Sequence, residues 1–179
     1  NLYHNSLTVE VNNYYCDAYR IQDGCVEWDN GGFAQGGDKQ WMAIDQTESM
    51  GKGNIYATWN SYYSICETFN FTRSYNGGNT YEDCVYVTGG PFWGTLDVSD
   101  NGDLYVGGVS EMGSFVVTRS TMAKDSTFTV FWDAAYQVDM GGWPSMGGPN
   151  PDGLLGQAWI AVDKSVGPEN GNIYLLCSV

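Results

Sequence analysis

One short pattern of residues occurs three times in this chain of 179 residues, and it restricts the available folds more than any other feature. Each copy has a tryptophan four residues before an aspartate, and after a polar turn an aliphatic residue is followed by a tyrosine. The copies begin at Trp41, Trp93 and Trp159. Repetition at roughly 50 residues is typical of architectures built from one supersecondary unit. We therefore expect the three copies to occupy equivalent positions in successive units.

The residues within each unit predict strands. Short runs of aliphatic and aromatic residues are separated by turns rich in Gly, Asn and Ser, and no segment has helical periodicity. A Thr-Arg-Ser sequence at 72–74 and again at 118–120 marks a third strand in two units. We predict four strands per unit, at 41–46, 54–60, 65–73 and 83–88 in one and at 93–98, 103–108, 114–119 and 127–132 in the next.

Four-stranded antiparallel units of this length are typical of β-propeller blades. The prediction is an all-β fold with about three blades of an incomplete propeller. Since propellers typically have 4–8 blades, the remaining blades are expected from missing sequence or from other subunits. The expected division is the tail of a preceding blade with a disulfide loop at 1–37, blades at 38–90 and 91–140, and an inter-blade loop with half a blade at 141–179.

The charge of the chain excludes some classes of partner. Seven Lys and Arg against 21 Asp and Glu give a net charge of −14. Because binding to phosphates needs clustered cations, nucleic acid is not an expected partner. No apolar run approaches the roughly 20 residues of a membrane helix, so membrane insertion is not expected either.

The cysteines indicate where the protein resides. Five cysteines in a small β-protein point to an oxidising compartment, and hence to a secreted or cell-surface protein. Cysteines that are close in sequence can bridge a loop or a hairpin. This predicts the disulfides Cys16–Cys25 and Cys66–Cys84 and leaves Cys177 over.

A turn motif carries a resemblance to a known family. Residues 74–81 (SYNGGNTY) resemble the Asp-box of bacterial neuraminidase repeats, with Asn76 in place of the aspartate and Tyr81 in place of the tryptophan. With the repeated strands, the resemblance to sialidase-like propellers covers residues 38–179. It implies that the turn links a third strand to a fourth, on the face opposite the active site. The structural residues of this turn would be Ser74, Asn76, Gly78, Thr80 and Tyr81.

The same resemblance sets requirements for catalysis. Sialidases use three arginines around the substrate carboxylate, a tyrosine nucleophile with a glutamate partner, and an aspartate acid. The chain has three arginines, and Arg73 and Arg119 are the repeated residue before the turn. Residues 19–21 (YRI) resemble the first-arginine motif of the family, which makes Arg20 a catalytic candidate beside Tyr62 and Glu111. The chain alone is not expected to cleave sialosides, and whether it belongs to an enzyme stays open.

The family's geometry indicates where a ligand would bind. The functional face is lined by the starts of inner strands and by the loops that join second to third strands. Aromatic faces beside carboxylates and amides suit sugar rings, although the tryptophans can instead pack between blades. The ligand-binding candidates are Asp38, Lys39, Trp59, Tyr62, Tyr63, Trp93, Glu111 and Gln157.

Two functions follow from these observations. The first is a secreted sialidase-like propeller module that binds carbohydrate or forms part of a glycoside hydrolase. The alternative is a structural or adhesive surface protein that uses the propeller as a rigid platform for partners. No cofactor is required; calcium is the one ion to consider, at Asp45 and Asp163, although these carboxylates can instead accept hydrogen bonds from turn amides.

Overall fold

The computed structural model describes residues 1–22, 26–29, 31–144 and 156–179. In these ranges the chain forms twelve strands in four separate antiparallel sheets and no α-helix. The all-β prediction is therefore confirmed. None of the described residues belongs to a helix that could span a membrane.

Each sheet pairs strands in chain order. The first sheet contains β1 (Leu2–Glu10), β2 (Asn13–Ile21) and β3 (Gly32–Phe33). The second contains β4 (Asp38–Ile44), β5 (Ile55–Asn60) and β6 (Phe71–Ser74). The third contains β7 (Phe92–Val98), β8 (Leu104–Val109), β9 (Phe115–Ser120) and β10 (Ala134–Val138). The fourth contains β11 (Trp159–Val162) and β12 (Ile173–Leu176).

The predicted fourth strands need correction. Residues 83–88 form no strand and contact β6 through a single bridge between Phe71 and Val85. In the next unit the fourth strand is β10, which begins after residues 127–132. The reason is that Val130 and Trp132 turn their side chains into the core between the second and third sheets instead of pairing with β9.

The predicted third strand at 65–73 is also too long. Residues 65–68 form turns, and the backbone of Glu67 has a left-handed φ of 57°. Regular pairing starts only at Phe71, where β6 begins. The indole of Trp59 donates to the carbonyl of Phe69 at 3.1 Å and fixes this loop beneath the sheet.

The register of the repeat differs from the prediction in the third sheet. Cα partners Ile44–Ile55, Val98–Leu104 and Val162–Ile173 are equivalent first rungs of three sheets. Trp41, Trp159 and Thr95 each lie three residues before the first rung of their sheet, and so occupy equivalent positions. Trp93 lies two residues before Thr95. The turn in the third sheet begins later, since the Ser99 amide donates to the Asp103 carbonyl as the Asp45 amide does to that of Asn54.

The first sheet contains a Tyr-Arg pairing of the repeat that the sequence analysis did not identify. Tyr3 pairs with Arg20 in the first sheet, just as Tyr56 pairs with Arg73 and Tyr105 with Arg119. β1 and β2 are therefore equivalent to the second and third strands of the later sheets. The expectation that Arg20 sits in a cysteine loop is wrong, because it lies in the nine-residue strand β2.

The disulfide predictions have different outcomes. Cys66 and Cys84 are bonded, as predicted. Cys16 instead carries a free, buried thiol, because its strand directs it into a small core with Ala18 and Ala34. Burial raises the pKa of this thiol to about 12. Its predicted partner Cys25 lies outside the described residues, as do residues 145–155 of the predicted inter-blade loop.

The sheets pack against one another along their first strands. β11 runs beside β7, and the amides of Ala158, Ile160 and Val162 donate to the Trp93 carbonyl, the Thr95 hydroxyl and the Asp97 carboxylate at 2.7–2.9 Å. The rings of Trp41 and Trp159 meet edge to face, with centroids 4.9 Å apart. The main core lies between the second and third sheets and includes Tyr56, Phe71, Leu96, Val106 and Trp132.

Candidate functional site

A cleft of about 420 Å³ lies at the end of the sheets where β5 ends and β7 begins. It brings together Tyr62 and Glu111, two of the three predicted catalytic candidates. Tyr62 belongs to the loop after β5, and Glu111 to the loop after β8. The other lining residues are Ser61, Thr68, Asn70, Tyr86, Gly90, Pro91 and Phe92.

The loop that carries Tyr62 is fixed by polar bonds and by the disulfide. The Ser64 hydroxyl donates to the Gly36 carbonyl at 2.7 Å and accepts from the Cys66 amide at 3.0 Å. The Cys66–Cys84 bond joins the loop to the segment that leads to Tyr86, which also lines the cleft. The Tyr62 loop and the Tyr86 segment are therefore anchored to the same covalent link.

Two buried asparagines position the other wall. Asn70 donates to the Pro91 carbonyl at 2.9 Å and accepts from the Val87 amide at 2.9 Å. The side-chain oxygen of Asn60 accepts from the Trp93 amide at 2.7 Å. The sequence analysis missed both residues. Their signal is an asparagine at the end of a strand, where a side-chain amide can replace a missing backbone partner.

The lining is aromatic and nearly uncharged. Tyr62 and Tyr86 are exposed beside the half-buried Phe92, and hydroxyls come from Ser61 and Thr68. Of the described residues that line the cleft, Glu111 alone carries a charge, and it is negative. The arrangement offers flat apolar faces, hydroxyls and one carboxylate acceptor to a ligand.

The structure places most of the other ligand-binding candidates outside this cleft. Trp59 is only 2% exposed and belongs to the core, so it has no face to offer a ligand. Lys39 forms an ion pair with Asp38 at 2.6 Å. Tyr63 packs on Tyr14 with ring centroids 5.3 Å apart.

The candidates at the strand starts have a backbone role in common. Lys39 and Trp93 occupy equivalent bulge positions, and their φ values of 53° and 48° are left-handed. The Trp93 ring packs on Phe92, with centroids 4.9 Å apart. Gln157 holds the matching position before β11 and is half-buried. The two bulges, at Lys39 and Trp93, interrupt the regular pairing of β4 and β7 near the starts of these strands.

Arg20 is not part of the cleft. Its Nη1 donates to the Gly77 carbonyl at 2.9 Å, and its Nε lies 3.8 Å from the Asp29 carboxylate. Gly77 belongs to the turn after β6, and neither Arg20 nor Gly77 lines the cleft. Arg20, Tyr62 and Glu111 are therefore not brought together.

The turn at 74–80 is closed by its own side chains. The Ser74 hydroxyl accepts from the Gly78 amide at 2.9 Å. The Asn76 side chain accepts from the Thr80 amide at 3.0 Å and donates to the Thr80 hydroxyl at 2.7 Å. Tyr81 packs on the small core around Cys16, and burial raises its pKa above the ordinary tyrosine value. The polar groups of this turn are thus engaged locally.

The two calcium candidates also bond within their own turns. The Asp45 carboxylate accepts from the Thr47 amide at 2.8 Å and from the Ser49 hydroxyl at 2.8 Å. Asp163 accepts from the Ser165 amide at 2.8 Å, and bonds from Ser165 lower the pKa of Asp163. Among the described residues, no three His, Cys, Asp or Glu side chains form a group that could hold a metal ion.

No family model matches the chain, and no curated protein matches it. The resemblance to sialidase-like propellers stays a prediction from the motifs at 74–81 and in the repeated strands.

Proposed function

We propose that this chain is a secreted, sialidase-like propeller module that binds a neutral carbohydrate in the cleft between Tyr62 and Glu111. The observation that carries the proposal is the lining itself. Exposed aromatic rings pack on the C–H faces of sugars, and a carboxylate accepts hydrogen bonds from their hydroxyls. Both kinds of group occur in this cleft, and the loop that carries Tyr62 is held by a disulfide.

The arrangement of the sheets supports the propeller part of the proposal. Blades of a propeller surround an axis with their first strands innermost. Here β7 and β11 run side by side in the same direction, and Trp41 of β4 reaches Trp159 of β11. The repeated pairing of Tyr with Arg in the first three sheets agrees with blades of one kind.

The charges favour a neutral sugar over an anionic one. A substrate carboxylate would need arginine partners, since a guanidinium binds it with two parallel bonds. The three arginines instead bond to Gly77, to Glu82 and to Asp103, away from the cleft. A net charge of −14 also repels anionic ligands. We therefore expect binding without sialoside hydrolysis.

Titration of the purified protein with neutral oligosaccharides, followed by NMR or calorimetry, tests the proposal. Tyr62→Ala should weaken binding about tenfold or more, because the ring supplies the stacking face. Glu111→Gln should weaken it less, since the amide keeps one acceptor oxygen. Tyr75→Ala is the matched control: this tyrosine is also exposed but lies on the turn after β6.

Two results would count against the proposal. One is the absence of binding to any neutral glycan, and the other is an affinity that Tyr62→Ala leaves unchanged. A fluorogenic sialoside completes the test, because turnover would contradict the expected lack of hydrolysis.

The second candidate function is a structural or adhesive extracellular protein. It is favoured by the outer edge of β12, to which no strand is bonded among the described residues. Such an edge is a template for pairing with another polypeptide.

A further inference from the structure

A buried arginine links the second sheet to the third. We call such a link an arginine bridge: it consists of an arginine of a third strand, the acidic residue whose backbone amide donates to the carbonyl of that arginine, and the turn of the following sheet. Arg73 binds Glu82 through Nε–Oε2 at 2.7 Å and Nη2–Oε1 at 2.8 Å. The same guanidinium donates to the carbonyls of Ala123, Asp125 and Phe128 at 2.7–2.8 Å. Its side chain is 0% exposed.

A second arginine bridge joins the first sheet to the second. The Asp29 amide donates to the Arg20 carbonyl at 3.0 Å, as the Glu82 amide does to the Arg73 carbonyl at 2.9 Å. Arg20 then reaches forward to the Gly77 carbonyl in the turn of the second sheet. Each arginine thus contacts the turn that follows the third strand of the next sheet.

The third arginine bridge is incomplete: among the described residues it has the arginine and the acidic residue but no turn of a following sheet. The Asp133 amide donates to the Arg119 carbonyl at 2.9 Å, which makes Arg119 equivalent to Arg73. Its Nη2 donates to Asp103 at 2.7 Å, and its Nε lies 3.9 Å from Asp133 without a hydrogen bond, as the Nε of Arg20 lies 3.8 Å from Asp29. The side chain is 42% exposed. Of the described carbonyls, none accepts a hydrogen bond from this guanidinium.

Arg119 lies on the face of the third sheet that the fourth sheet covers in part. Gly107 packs against Ile160 and Leu175 of the fourth sheet. Gly107 pairs with Val117, and Arg119, two residues further along β9, shares its face.

Beyond β12 this face is uncovered. Tyr136 is 62% exposed and Val117 is half-buried, whereas Phe71, at the position of Val117 in the second sheet, is 0% exposed. Among the described residues β12 pairs only with β11. We call the surface formed by Tyr105, Val117, Arg119, Tyr136 and the outer edge of β12 the open face.

We propose that the open face binds a polypeptide segment built like the third strands of this chain. The segment pairs antiparallel with β12, and its following polar turn presents backbone carbonyls to Arg119. By the register of the other sheets, its arginine or equivalent residue lies opposite Tyr174. The two complete bridges in the same molecule carry this inference, since one segment would supply the strand for β12 and the acceptors for Arg119.

The test joins a copy of residues 114–133 to Val179 through a short Gly-Ser linker. That segment contains β9 and the turn that accepts from Arg73. It should raise the melting temperature by about 2–4 °C or more. It should also slow hydrogen exchange of the β12 amides that face away from β11 by about tenfold or more. A scrambled segment of equal composition is the control.

The part played by Arg119 is measured as a coupling. The substitution Arg119→Ala is made in the original strand and not in the added copy. In this variant the rise in melting temperature caused by the added segment should fall to half or less, whatever stability the substitution itself costs. An equal gain with the scrambled segment, or an undiminished gain in Arg119→Ala, overturns the proposal. So does a dimer of the unmodified chain whose β12 amides are already protected, because a second copy would then occupy the face.

A trans experiment keeps the proposal testable if the extended chain fails to fold. A synthetic peptide of residues 115–128 is added at millimolar concentration to the isotope-labelled chain. Shifts should occur at the β12 amides and at the Arg119 Nε–H group. Their absence overturns the proposal.

Discussion

A β-carbon on Gly94 would lie only 1.8 Å from the carbonyl oxygen of Gly107. The two residues are on the paired strands β7 and β8, next to the bulge in β7. The backbones approach so closely that no side chain fits between them. Gly94 is therefore fixed by packing and not by an unusual φ value.

Gly94→Ala should destabilise the protein by about 2–4 kcal/mol, because backbone on both sides must shift to relieve the clash. Urea unfolding provides the measurement. Gly32→Ala is the matched control, since nothing lies within 4 Å of the new methyl group and the backbone is not left-handed. It should be neutral within about 0.5 kcal/mol or slightly stabilising. Equal losses in the two variants would contradict the explanation.

Arg73→Ala should cost about 3–5 kcal/mol of unfolding free energy. The change leaves Glu82 without its bidentate partner and three carbonyls of the next turn without a donor. Arg73→Lys should recover only part of the loss, since an ammonium cannot bond in the fork geometry. Lys52→Ala, on an exposed ion pair, should change stability by no more than about 0.5 kcal/mol. Denaturant unfolding of the three variants would refute the idea if Lys52→Ala proved as costly.

Asp103 should make stability depend on acid pH. Burial alone would raise the pKa of this carboxyl, but hydrogen bonds from Lys124 and Arg119 outweigh it and hold the pKa below its usual value. A depressed pKa contributes stability above the unfolded value of about 3.9, and the contribution is lost as pH falls through the folded value. Asp103→Asn should cost about 1–3 kcal/mol at pH 7.

The difference between Asp103→Asn and the unmodified protein should shrink as the pH is lowered from about 5 towards 2, as followed by chemical denaturation at each pH. Glu67→Gln, on an exposed carboxylate, should show no such trend. A gap between Asp103→Asn and the parent that stays constant down to pH 2 would exclude Asp103 as the source.

Removal of the disulfide by Cys66→Ala with Cys84→Ala should lower stability by about 3 kcal/mol, since the bond closes a loop of 18 residues. It should also weaken any ligand binding in the cleft, because the bond joins the Tyr62 loop to the segment that carries Tyr86. Stability is read from denaturant curves with and without a reductant. The reductant should destabilise the parent protein and leave the double variant unaffected; an effect of equal size on both would show that another cysteine is responsible.

Much of the fold follows from the sequence because strand alternation and turn residues are local signals. They were sufficient to predict the first two strands of each repeat and the disulfide Cys66–Cys84. The turn at 74–80 could also be predicted from the sequence, since Ser74 and Asn76 form hydrogen bonds with residues close to them in the chain.

The features that were wrong depend on contacts distant in sequence. The aromatic run at 127–132 has the composition of a strand, but Trp132 packs on Phe71 of another sheet, and pairing moves to Ala134–Val138. Spacing alone placed Trp93 with Trp41, whereas the shorter turn after β7 shifts the register by two residues.

The candidate site was predicted in part. Tyr62 and Glu111 share a cleft because both follow the second strand of adjacent sheets, which the repeat already implied. The placement of Arg20 was not predicted, because its equivalence to Arg73 becomes visible only through the pairing of each arginine with a tyrosine. Burial of Trp59 depends on the loop packed beneath it, which no local pattern reveals.

The arginine bridge also bears on how a protein of this kind can change its length over evolutionary time. The second sheet carries both halves of this joint: Arg73 reaches forward to the third sheet, and the Gly77 carbonyl in its own turn receives Arg20 from behind. A tandem duplication of one such unit therefore inserts a complete joint on each side, with no further substitution at either junction. Selection can lengthen or shorten the array by whole modules, and the chemistry of the joint is inherited with every copy.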